Sequence, residues 1–225
     1  SVSVRAATSP ARPPPTTATS VMAVAGSATV KNGQGLVDGV PRGCMETTEG
    51  FASLCCLDCD TTHDPETVGR CPDCGGPLDP TYDVESGTIT KDTFGVGDGM
   101  TAFADALPFP AERLVTAGEG GTPLVEAPGL AEELGVETVY VKDEGRNTTG
   151  AFLDRGMALA VTAAREHGAT DVALPSMGNS GQAAAAYAAR AGLDPHSFVP
   201  SRTPFANKAM VHVHGGGFCR RRGGA

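Results

Sequence analysis

From Thr138 the chain alternates short β-branched runs with longer alanine-rich runs: "TVYVKDE" (138–144), "GMALAVTAAREHG" (156–168), "DVALPS" (171–176), "GQAAAAYAARAG" (181–192), "SFVP" (197–200) and "PFANKAMVHVHGG" (204–216). Strands separated by helical segments of this length return parallel to one another, so the order predicts a βαβαβα unit. The expected class is α/β, a parallel sheet with helices on both faces. Right-handed crossovers gather the loops that follow the strands along one edge, where ligands bind in folds of this kind.

A chain of 225 residues, 40% of them hydrophobic, can bury one full core and carry a small appendage. Its net charge of −9 and pI near 5.0 exclude a general nucleic-acid binder, because neutralising phosphates needs a basic face. The most alanine-rich stretch, Ala183 to Ala189, stops at Arg190, far short of a membrane span. A soluble, cytoplasmic protein is expected.

Five of the seven cysteines fall between Cys55 and Cys74, a local cluster rather than a chain-wide disulfide framework. Cys56-Leu-Asp-Cys59 and Cys71-Pro-Asp-Cys74 form two C-x-x-C knuckles, the second followed by Gly75-Gly76. Four thiolates so spaced can close tetrahedrally on zinc, and with no open coordination position that metal is structural rather than catalytic. Cys55 is the poorer ligand beside Cys56, and His63 between the knuckles reads as surface loop.

Residues 1–44 are rich in Pro, Ser, Thr and Ala and are expected to be a disordered tail or a spurious extension, with Met45 as an alternative natural start; a transit peptide fits less well, for want of an amphipathic period. Residues 45–83 are expected to be a zinc ribbon, 84–117 a linker and 118–216 an α/β domain. Residues 217–225, with Arg220, Arg221 and Arg222 in succession, read as a divergent tail left by truncation or a shifted frame.

Two loops carry the chemistry. "Ser176-Met177-Gly178-Asn179-Ser180-Gly181" follows a strand and opens a helix, so its free amides suit a carboxylate or a ring hydroxyl. Asn179 or Ser180 as an ordinary N-cap is the alternative. "Asn147-Thr148-Thr149-Gly150" is a strand-to-helix turn, with Asp154 favourably placed against the next helix's dipole. Arg146 and Arg155 could bind anions, or pair with Asp143 and Glu144.

Taken together, "GEGGTPL" (118–124), "VKDEGRNTTGAFLDRG" (141–156) and "SMGNSGQAAAAYAARAG" (176–192), behind a cysteine ribbon, resemble the fold-type II enzymes that use pyridoxal phosphate, and most closely the threonine synthase family. The resemblance implies a PLP-dependent lyase acting on a small amino-acid substrate, O-phosphohomoserine. It implies cofactor contacts at Phe152, Gly178, Asn179 and Ser180, and substrate contacts at Thr122, Ser176 and Gly181. The family's cofactor-anchoring lysine stands between the equivalents of Phe152 and Asp154; here that position is Leu153, and Thr148 stands where the family usually has Pro. Leucine has no amine, so the resemblance leaves two function classes open: a threonine synthase-type enzyme, truncated or inactive in this form, and a non-catalytic descendant that binds a ligand or partner. Threonine dehydratase and cysteine synthase-like activities use similar motifs, and a homo-oligomer is compatible with either class.

Overall fold

The computed structural model describes residues 21–23, 45–84, 89–90, 92, 94 and 99–220, with the side chains of 21–23 and 218–220 left aside. In chain order, strand β1 is Val21–Ala23, β2 Phe51–Cys56, β3 Thr62–His63, β4 Leu78–Tyr82, β5 Leu124–Glu126, β6 Tyr140–Lys142, β7 Asp171–Pro175, β8 Asp194–Val199 and β9 Gly217–Arg220. Helix α1 is Pro128–Leu134, α2 Leu153–Glu166, α3 Asn179–Ala191 and α4 Phe205–Val213.

The alternation from β7 to β9 does fold as a parallel sheet, in the order β1-β7-β8-β9. Alanine drives the packing above it. Ala183, Ala184, Ala185 and Ala188 of α3 are fully buried, as are Ala158, Val161 and Ala164 of α2. Side chains this small let α2 come close to α3 while α3 lies on β7 and β8. Met100, Val115, Val172, Tyr187 and Leu193 complete that cluster.

Four segments differ from expectation. Tyr140–Lys142 leaves the parallel sheet and pairs antiparallel with β5, Leu124 opposite Lys142, since a strand signal leaves open which neighbour completes its hydrogen bonds. Within the segment expected as a linker, residues 99–106 form a 3-10 helix, and Met100, Ala104, Phe109 and Leu114 are buried. Scattered apolar residues without a helical or strand period packed there, which periodicity does not detect. Val21–Ala23, inside the expected tail, pairs in parallel with Asp171–Ala173, since an open sheet edge accepts any β-capable run. Gly217–Arg220 extends the sheet beside β8 where divergence was expected; residues 221–225 lie outside the described residues.

The cysteine-rich segment folds as a three-stranded antiparallel sheet in the order β3-β2-β4, closed at one end by Phe51 against Tyr82 edge to face, 6.3 Å between centroids. Between β2, β4 and α2 lies an apolar cavity of about 430 Å³, with Leu54, Leu78, Tyr82, Phe109 and Leu159 in its wall. Of the three motif segments only Gly156, at the end of the second and within α2, reaches it.

Candidate functional site

One hydrogen bond joins the two motif loops. Gln182 of α3, itself buried, donates from Nε2 to the carbonyl of Thr149 at 2.8 Å, which sets the "SMGNSG" loop against the turn that leads into α2. Gln182 was not singled out from the sequence, because nothing in spacing distinguishes it from the alanines around it.

Each loop is held from within. Ser176, buried at the end of β7, accepts the amides of Gly178 at 3.2 Å and Gly181 at 2.8 Å, and its hydroxyl lies 2.8 Å from that of Ser180. A Cβ on Gly181 would stand 2.9 Å from the Ser176 side chain, so the loop tolerates only glycine there. Asn179 is the exposed first residue of α3, after Gly178. The N-cap position is Gly178, which has no side chain, and it is Ser176 that accepts the third amide of the helix, so the N-cap alternative for Asn179 and Ser180 does not hold.

In the turn before α2, Asp154 is fully buried and accepts the Thr149 amide at 2.6 Å as well as the Thr149 hydroxyl. Leu153 is the first residue of α2 and half-buried, behind the exposed Phe152. The two described lysines are engaged elsewhere: Lys142 Nζ donates to the Thr122 carbonyl, and Lys208 Nζ to that of Ser201 at 2.9 Å.

The "GEGGTPL" loop is tied to the same turn by charge. Arg155 grips Glu144 with two bonds of 2.9 Å, and Thr122 donates to the same carboxylate at 2.6 Å. The Arg155 and Thr122 bonds hold the Glu144 carboxyl at about 2, well below its usual range. Buried Asn147 accepts the Gly120 amide at 2.9 Å and donates to Glu144. Arg155 and Arg146 therefore pair with Glu144 and Asp143, and the Thr122 hydroxyl is spent on that pair. Beneath the loop, fully buried Glu119 accepts Tyr187 Oη at 2.8 Å and the Ala117 amide at 2.9 Å, with its Oε1 unpaired. Burial, and then Glu119, push the Tyr187 hydroxyl up, so it stays protonated and donates.

The four knuckle cysteines converge. Cys56 and Cys74 sulfurs lie 3.4 Å apart, Cys59 and Cys71 sulfurs 3.7 Å apart, and all four lie within 4.8 Å of one another. A tetrahedron with metal–sulfur bonds near 2.3 Å has edges of about 3.8 Å, so the donor set fits zinc. The amides of Asp58 and Gly76 point at the Cys56 and Cys74 sulfurs, 3.4 and 3.3 Å away. Gly76 is required by space: a Cβ there would lie 2.8 Å from the Cys56 sulfur.

Residues 115–223 match the family model described as pyridoxal-phosphate dependent enzyme. Threonine synthase of Methanosarcina acetivorans is 38% identical over 165 residues, covering 72% of this chain and 40% of that protein. Over residues 115–223 this chain is thus similar to that pyridoxal-phosphate dependent family. The family resemblance extends to threonine synthase of Halalkalibacterium halodurans, 50% identical over 95 residues, which cover 42% of this chain and 27% of that protein. Among solved structures, maize serine racemase aligns at 25% identity with a TM-score of 0.42, over 46% of this chain and 31% of that one. The chain thus spans well under half the length of these relatives. Among the described residues, no helix is long and apolar enough to cross a membrane.

Proposed function

We propose that this chain forms part of a threonine synthase-type site, in which O-phosphohomoserine and water become threonine and phosphate, and that Leu153 leaves it without a covalent anchor for the cofactor. The observation that carries the reading is the Gln182–Thr149 bond, which sets two loops of the resembling motifs face to face. When bound, pyridoxal phosphate supplies an electron sink for charge developing on an amino-acid carbon. Gly178, Asn179 and Ser180 would meet the ring from the α3 side and Phe152 from the α2 side. The substrate carboxylate would lie at the N-terminus of α3 against the loop from Ser176 to Gly181, met by the amides of Asn179 and Ser180, since those of Gly178 and Gly181 are bonded to Ser176. No proton step is assigned to position 153, because leucine has no amine, and Lys142 and Lys208 are bonded to backbone carbonyls.

The second reading, a non-catalytic ligand- or partner-binding descendant, is favoured by Leu153 alone. Titration with pyridoxal phosphate followed by borohydride reduction separates the two. Wild type is expected to bind reversibly and keep no cofactor after reduction, whereas Leu153→Lys is expected to retain it covalently. If neither protein binds the cofactor, the site assignment fails. If Leu153→Lys retains it covalently, the cofactor assignment stands.

Cys56, Cys59, Cys71 and Cys74 would hold a structural zinc in a ribbon ahead of the α/β domain. The substrate is a small molecule, and a cytoplasmic setting and a homo-oligomer accord with that role.

A further inference from the structure

Two sulfurs of the cluster receive backbone amides, Cys56 from Asp58 and Cys74 from Gly76, while Cys59 contacts the Thr61 hydroxyl at 3.4 Å. Cys71 instead faces an imidazole: His63 Nε2 lies 3.3 Å from its sulfur. Strand pairing puts the ring there. His63 is opposite Leu54, opposed residues share a face, and Cys56 lies two positions along that same face. The side chain is only 11% exposed, and the same nitrogen is 3.8 Å from Asp73 Oδ2. A zinc-bound thiolate can only accept, so with Cys71 as a ligand the Nε2 that meets its sulfur carries the hydrogen.

We infer that His63 donates a hydrogen bond to the Cys71 thiolate and holds the four-sulfur zinc site closed without ligating the metal; this rests on the zinc reading above. The electrostatics require such a donor. Four thiolates on one Zn²⁺ carry a net double negative charge, and residues 55–83 add seven acidic side chains against the single Arg70. A sulfur in that field is stabilised by a neighbouring N–H, as groups around a metal's ligands orient them and strengthen their hold. The four sulfurs already complete the tetrahedron, so the ring has no vacant position to take.

The test compares the full chain as wild type, His63→Ala and His63→Gln, a glutamine amide being able to offer N–H near the place of Nε2. All three are expected to purify with about one zinc per chain. Transfer of that zinc to a colorimetric chelator should be about tenfold faster for His63→Ala and near the wild-type rate for His63→Gln. Cobalt-loaded proteins should share one four-thiolate absorption spectrum. Wild-type release rates in His63→Ala would overturn the inference while leaving the zinc reading intact. A changed cobalt spectrum in His63→Ala would make the histidine a ligand and overturn it as well. Wild type without zinc would overturn the zinc reading and this inference together.

Discussion

Single residues at the loop edge are held by charge and by lack of space. Glu144 has its pKa drawn down from 4.5 to about 2 by Arg155 and Thr122, so its contribution to stability is complete above about pH 4.5 and is lost as the pH falls through 2. Glu144→Gln is therefore expected to melt below wild type at pH 7, with the gap closing between pH 4.5 and 2; calorimetric melting points across that range check this. Gly181→Ala forces a methyl to 2.9 Å from Ser176, and overpacking of this kind costs about 1–3 kcal/mol in urea unfolding. Tyr187→Phe removes one of three bonds to buried Glu119 Oε2, at about 0.5–1.5 kcal/mol, the net worth of a hydrogen bond, because the Ala117 amide and the Thr116 hydroxyl remain. The asparagine and the arginine of "KDEGRN" are readable as polar, but their partners are not. Spacing cannot say that Asn147 reaches Gly120, 27 positions away.

Among elements, α2 and α3 follow directly from their alanine-rich periods. Their starts depend on contacts from outside the helix. Asp154 ties Thr149 to the first turn of α2, so Asp154→Ala should raise hydrogen exchange of amides 153–157 by about tenfold while those of 183–188 stay protected. Strand β6 shows the opposite case: "TVYVKDE" carries a strand signal, yet its partner is β5 in an antiparallel pair. A propensity states that a segment is extended and leaves open which neighbour completes its hydrogen bonds.

For the whole molecule, the cysteine module and the α/β layers meet across the apolar cavity beside α2. A three-stranded sheet this small has little core of its own, so on the proposed zinc site metal binding and folding are expected to be coupled in it. Chelation, or Cys56→Ser with Cys71→Ser, is expected to unfold residues 51–82 and expose Leu159 and Phe109 to a hydrophobic dye, while exchange protection in α3 persists. Equal dye binding before and after chelation would count against this coupling. The sequence alone determined the α/β alternation, the four-cysteine cluster, the loop motifs and the leucine at position 153, because each is a local pattern of residue types. Tertiary structure decided that residues 99–115 join the core, that Gln182 links the two loops, that Arg155 serves Glu144 and that His63 faces Cys71. Those are meetings between distant positions, settled by packing and strand register, which no local pattern encodes.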